Sequence, residues 1–136
     1  MQLTPTQYRV CYADTDQMGV VYYGNYAKLF EIGRGEAFRE IGTTYKEMEN
    51  TGVIMPVIHL EVTYHSSAFY DDLLTIETTI DEFPKTRVTF NHKIYNEKGK
   101  LLVTGSVTLC FIDKKRQRPV KMSKMMEQKL REIWND

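Results

Sequence analysis

Cysteine is nearly missing from this sequence. Cys11 and Cys110 are the only two, and each falls inside a strand-like pattern, so no disulfide framework is expected. They read as buried thiols of a reducing cytosol, and the chain is expected to be cytoplasmic. Neither has the neighbouring His or helix terminus that a nucleophilic thiol needs. An excess charge is missing too: 18 Lys and Arg balance 18 Asp and Glu, which argues against a nucleic-acid partner. No apolar run approaches the roughly 20 residues of a membrane span, so none is expected. No charged stretch leads into an apolar core at the start, so no signal peptide is expected. Repeats, linkers and Ser-His-Asp or Cys-His spacings are likewise missing. At 136 residues the expectation is one domain over 1–136. A domain of that size buries about two-thirds of its unfolded surface without a disulfide or metal.

Histidine is scarce as well. His59 and His65 share a predicted strand face with Glu61. Strand residues six apart lie roughly 20 Å apart, too far to hold one ion. No metal and no cofactor is expected. His92 alternates with Val88, Phe90 and Ile94 and reads as a packed histidine.

What remains is a clear periodic pattern. Over residues 6–12, Tyr8, Val10 and Tyr12 alternate with Gln7, Arg9 and Cys11, which predicts a strand. From Asn25 the spacing turns helical. Tyr26, Leu29, Phe30, Gly33, Ala37, Phe38 and Ile41 form one stripe; Lys28, Glu31, Glu36 and Arg39 lie largely off it. Gly42 is a natural stop. Gly33 and Gly35 each cost such a helix up to about 1 kcal/mol against Ala, so both predict close approach to another backbone. A short helical turn is expected over 44–50. Strands are predicted over 53–64, 73–83, 86–95 and 101–112, with a hairpin turn at Asn96-Glu97-Lys98-Gly99. Pro119 should block further strand, and Ser123 should cap a last helix reaching Trp134. These elements pack most economically as an α+β fold, with a five-stranded antiparallel sheet wrapped around the long helix. The other sheet face mixes Thr, Ser and Asn with Leu73, Leu102 and Ile112. That half-apolar composition predicts a subunit interface, hence a homodimer or homotetramer.

One stretch stands apart, YADTDQMGVVYYGNY over residues 12–26. It places Asp14 and Asp16 just ahead of the long helix. A helix start carries unpaired N–H groups and a partial positive charge. It can bind an anion or polarise a carbonyl as an oxyanion hole does. Asp14 or Asp16 could then act as nucleophile or activate water. Asp is also a common cap of loops and helix starts. Spacing alone leaves both readings open.

The run Asp14-Thr15-Asp16-Gln17-Met18-Gly19-Val20-Val21-Tyr22-Tyr23-Gly24-Asn25-Tyr26 resembles the signature of the 4-hydroxybenzoyl-CoA thioesterase family, including the Tol-Pal-associated acyl-CoA thioesterases. Looser matches are Glu31, Arg34 and Glu36, the Tyr70-Asp71-Asp72 turn with Leu74 and Ile76, and Arg118-Pro119-Val120. The resemblance covers nearly the whole chain. It implies the hotdog fold and an acyl-CoA thioesterase acting without a cofactor. By position, Asp16 matches the family's catalytic carboxylate and Asp14 the supporting acid. Tyr23 falls where a backbone N–H polarises the thioester carbonyl. Val21, Tyr22, Gly24 and Asn25 belong to the implied substrate-binding block. Lys85 and Arg87 sit where one relative type has a basic run, and are implied contacts for the coenzyme phosphates, with Lys114, Lys115, Arg116 and Arg118 crowding a second strand end. Two departures stand out: Tyr23 replaces a His common among relatives, and Ser67 replaces a Pro. Nucleophilic and general-base routes for Asp16 stay open. So do an acyl-carrier-protein thioester as substrate and a non-catalytic acyl-CoA-binding module. A dehydratase is disfavoured, since residues 12–26 contain no His.

Overall fold

A computed structural model describes residues 1–135. Its strands are β1 (Thr6–Arg9), β2 (Val53–Ile54), β3 (Val57–Tyr64), β4 (Leu73–Thr79), β5 (Arg87–Tyr95), β6 (Leu101–Cys110), β7 (Ile112–Asp113) and β8 (Arg118–Pro119). Its α-helices are α1 (Tyr26–Ile41), α2 (Tyr45–Asn50) and α3 (Lys124–Ile133).

The stripe predicted for α1 is the one that is buried, joined by Arg34. The helix stops at Gly42, whose φ is +110° and whose N–H reaches the Phe38 and Arg39 carbonyls. Without a Cβ that left-handed turn carries little strain. Gly33 lies hard against the sheet: a Cβ there would come within 2.8 Å of Thr78 Oγ1 and 3.0 Å of Ile76 Cγ2. Gly35 departs from expectation. The nearest atom to a Cβ there would be Arg39 Nη1 at 3.7 Å, and nothing in the structure explains this glycine.

The main sheet has five antiparallel strands in the order β1-β4-β5-β6-β3. It curves around α1, which packs on β4, β1 and β5. Gly105 in mid-β6 makes a seat for Phe30, whose ring atoms occupy the space a side chain there would need. Phe30 also stacks on His92, centroids 4.8 Å apart.

Several expected strand ends move, each for a hydrogen-bonding or packing reason. β1 stops at Arg9, because Asp14 takes the Cys11 N–H and draws the chain into a 3-10 turn over Tyr12–Asp14. The strand expected over 53–64 breaks near Pro56: β2 pairs with β7, and β3 pairs with β6. β4 ends at Thr79, and the next residue, Ile80, donates its N–H to the Met1 carbonyl. β6 and β7 are separate strands, and Phe111 between them donates to Thr86 instead. Pro119 does not end the strand structure; it pairs with Ile112 in a small β2-β7-β8 sheet, at an edge where a missing N–H is tolerated.

The half-apolar outer face is a further correction. Ile94 pairs with Val103 and Tyr95 with Leu101, so Leu102 is the extra residue of a bulge and joins the core. Ile112 has left for the small sheet. The outward residues of β4, β5 and β6 are then polar almost throughout. Exposed apolar surface lies instead along the β3 edge. Val57, Leu60 and Tyr64 pair with Leu109, Val107 and Val103 on the helix side of the sheet, yet stay 49%, 45% and 50% exposed. α3 begins at the Ser123 cap, where the Met126 N–H is accepted, and closes the core with Met126 and Leu130.

Candidate active site

The two acids of the 12–26 stretch are held in different ways. Asp14 is 4% exposed. Its Oδ2 accepts the Tyr8 hydroxyl and the Cys11 N–H, each at 2.8 Å. Its Oδ1 accepts Lys28 Nζ at 2.7 Å. Its carbonyl accepts the Tyr22 N–H at 2.9 Å and Asn25 Nδ2 at 2.8 Å. Burial works to raise the Asp14 pKa, but the bonds from Lys28, Cys11 and Tyr8 together overcome it and hold the carboxyl below its ordinary value. Asp14 is an anion fixed inside the loop, with both oxygens engaged.

Asp16 is only partly covered. It sits in a tight hairpin closed by the Thr15–Val21 bridge. Its N–H goes to the Val20 carbonyl, and its carbonyl takes the Gly19 N–H. Gly19 allows this turn with φ +80°. Asp16 Oδ1 accepts the Met18 N–H at 2.8 Å. Oδ2 takes no hydrogen bond among the described residues.

Beside this hairpin the helical run begins. A 3-10 turn over Tyr23–Asn25, entered from extended Tyr22, leads straight into α1. The Tyr22 and Asn25 amides are already used, by the Asp14 and Tyr22 carbonyls. The Tyr23 and Gly24 N–H groups have no acceptor among the described residues, as the first amides of a helix ordinarily lack one. They carry the positive end of the helix dipole. The turn is braced from β3 by Tyr64, whose hydroxyl donates to the Tyr23 carbonyl at 3.2 Å.

The remaining sequence-derived candidates divide. Tyr22 and Tyr23 are exposed with rings 4.5 Å apart. Gly24 lies under the Tyr22 ring, where a Cβ would come within 2.6 Å of Tyr22 Cε2. Val21 is 5% exposed, with its side chain in the core and its N–H bonded to the Ala68 carbonyl. The Asn25 carboxamide is committed to Asp14. Lys85 and Arg87 line an open cleft of about 560 Å³ with Asp81, Glu82 and Asn91. Arg87 pairs with Cys110 at one end of β5, and Tyr95 at the other pairs with Thr75, close to the strand end that β1 shares. Eight residues of strand span about 26 Å, so within one chain the Lys85–Arg87 cleft and Asp16 lie at opposite ends of the sheet.

Tyr8 and Lys28 were not singled out from the sequence, and both contact Asp14. The signal for Lys28 was present: a cation in the first turn of a helix opposes the dipole, so it calls for a carboxylate nearby. No group of three metal-ligating side chains occurs among the described residues. No helix among them is long and apolar enough to cross a membrane.

The chain is similar to several known proteins. Residues 10–130 match the thioesterase-like superfamily. The chain is 32% identical over 111 residues to the acyl-CoA thioester hydrolase YbgC of Escherichia coli, spanning 82% of this chain and 83% of that protein. It is 31% identical over 117 residues to the acyl-CoA thioesterase YbgC of Haemophilus influenzae, spanning 85% of each. Among solved structures, the DHNA-CoA thioesterase of Staphylococcus aureus superposes with a TM-score of 0.87 at 33% identity, covering 96% of this chain and 91% of that one.

Proposed function

The chain belongs to the thioesterase-like superfamily, with a hotdog fold, and on that footing we propose that it hydrolyses acyl-CoA thioesters through Asp16. The observation that carries this reading is the contrast between the two acids. Asp14 is buried with both oxygens engaged, whereas Asp16 keeps Oδ2 open beside a helix start with unused amides.

A thioester suits this spare machinery. Its carbonyl carbon is more electrophilic than an ester's, and a thiolate leaves readily, so a carboxylate and a helix end suffice without a triad. The carbonyl oxygen lies toward the Tyr23 N–H, which stabilises the charge that develops there. Asp16 either attacks the carbon, expelling the coenzyme thiolate and leaving a mixed anhydride that water cleaves, or takes a proton from the water that attacks. Both routes end in a free acid and a free thiol. Tyr22, Tyr23 and Gly24 border the acyl group, while Val21 and Asn25 support them from behind.

Lys85 and Arg87 fit the phosphates of coenzyme A, but only in an assembly. The exposed β3 edge offers unpaired backbone groups and an apolar row, which a second copy can cover. Antiparallel pairing of two β3 edges sets the Tyr64 end of one chain beside the Val57 end of the other. The Val57 end is the one carrying Cys110 and Arg87. Asp16 of one protomer and the Lys85–Arg87 cleft of its partner would then serve one substrate. We expect a homodimer or a tetramer of such dimers in sedimentation; a monomer at all concentrations would remove this part of the proposal.

The chemical part is tested by thiol release. Wild type should liberate free thiol from a panel of acyl-CoAs. Asp16→Asn, which keeps the shape and removes the charge, should lose at least ~100-fold in kcat, the scale of one lost acid–base or nucleophilic group. Binding without release by wild type would favour a non-catalytic acyl-CoA module instead.

A further inference from the structure

We propose that Lys28 is a positioning residue for this reaction: through Asp14 it fastens the Asp16 hairpin to the head of α1 and so fixes the spacing between carboxylate and helix amides. The inference rests on the reading of Asp16 given above.

The connectivity carries it. The hairpin from Thr15 to Val21 closes on itself: Asp16 N–H to Val20, Gly19 N–H to Asp16, and Met18 N–H to Asp16 Oδ1 are all internal. On the sheet side it is tied down by the Val20–Phe69 bridge and by the Val21 N–H bond to Ala68. Toward the helix the ties meet at Asp14. Tyr22 N–H and Asn25 Nδ2 hold its carbonyl, and Lys28 Nζ holds its carboxylate at 2.7 Å. The same ammonium donates to the Tyr8 hydroxyl at 3.1 Å and lies over the Tyr8 ring, 5.2 Å from its centroid. Tyr8 in turn donates to Asp14 Oδ2 at 2.8 Å. Lys28 therefore joins β1, the loop and the first turn of α1 at one point.

Its place in the helix adds an independent reason. A Lys in the first turn faces the positive helix end and is disfavoured there. A buried carboxylate stripped of its cation is also disfavoured. Each group offsets the cost of the other only while the loop sits against the helix start. If the pair is lost, Asp14 can regain solvation only by moving outward, and Asp16, two residues on, moves with it.

The test compares Lys28→Met with Lys28→Arg in the full-length protein. Met keeps an apolar stem and removes the charge. We expect kcat on an acyl-CoA to fall about 10- to 100-fold, as for a displacement near 1 Å, while KM changes by less than about threefold. Arg should recover most of the loss. Tyr8→Phe, which leaves the ion pair, should show a smaller loss in the same direction. Amide hydrogen exchange at Asp16 and Tyr22 should quicken in Lys28→Met while exchange in β5 does not, which also shows that the variant is folded. Wild-type kcat in Lys28→Met overturns the proposal, as does a loss that Arg fails to restore, or unchanged exchange at Asp16 and Tyr22. If Asp16→Asn itself keeps normal turnover, the catalytic reading fails instead, and the clamp is judged on exchange alone.

Discussion

Single residues set the acid behaviour of this protein. His92 is buried between Phe30 and Phe90, with Nδ1 on Thr78 Oγ1 at 3.0 Å and Nε2 unpartnered. Burial first, and then the Arg34 charge, lower its pKa from 6.5 to about 3. The unfolded chain therefore binds a proton below pH 6.5 that the native state refuses until about pH 3. Stability contributed by neutral His92 is complete above 6.5 and is lost as pH falls, by up to about 1.4 kcal/mol per pH unit. Asp14 acts in the same sense, because its carboxyl is held low by its partners and must be protonated to release them. Urea titrations from pH 7 to 4 should show falling stability, with a shallower slope in His92→Gln; an equal slope would contradict the assignment to His92. Gly24→Ala makes a second residue-scale prediction. The new methyl must displace the Tyr22 ring, so we expect a several-fold shift in KM toward long or bulky acyl-CoAs with little change in melting temperature. An unchanged KM profile would separate Tyr22 from the acyl group. The residue pattern around Asp16 was legible because the motif is contiguous. The Asp14 partners were not, because Tyr8 and Lys28 meet only when strand, loop and helix are assembled.

Among the elements, α1 was legible almost to the residue, since one periodic stripe and one stop glycine define it. The five strands of the main sheet were legible, but their ends and the small β2-β7-β8 sheet were not. Their limits depend on where backbone donors find acceptors: Cys11 on Asp14, Phe111 on Thr86, Ile80 on Met1. The β6 bulge was invisible because alternation is read one strand at a time, whereas a bulge is a mismatch between two. It reverses the side of Leu102 and removes the apolar outer face inferred from it. The Phe30 seat on Gly105 is one close packing contact between helix and sheet. Gly105→Ala should destabilise the fold by about 1–3 kcal/mol, as overpacking does, and Phe30→Leu in the same chain should recover part of that loss. A Gly105→Ala variant as stable as wild type would show that the ring has room to shift.

At the scale of the whole molecule, the chain is neutral but its charge is not evenly spread. The Met122 N–H donates to the Lys85 carbonyl, which draws Lys121 and Lys124 toward the end of the sheet that holds Lys85, Arg87, Asp81 and Glu82, while Asp14, Asp16, Asp71 and Asp72 gather around the other with Arg9 and Lys28. Composition hid this placement, and strand order with register reveals it. An antiparallel pair of protomers sets unlike ends together, so raising salt should weaken acyl-CoA binding before it affects kcat. A KM independent of ionic strength would detach Lys85 and Arg87 from the substrate. The catalytic reading itself meets its sharpest trial in one sample of Asp16→Asn, with thiol release and the dissociation constant for intact acyl-CoA measured side by side. Binding within about threefold of wild type, with turnover lost by at least ~100-fold, is the expected result. Turnover close to wild type would show that a different group performs the chemistry.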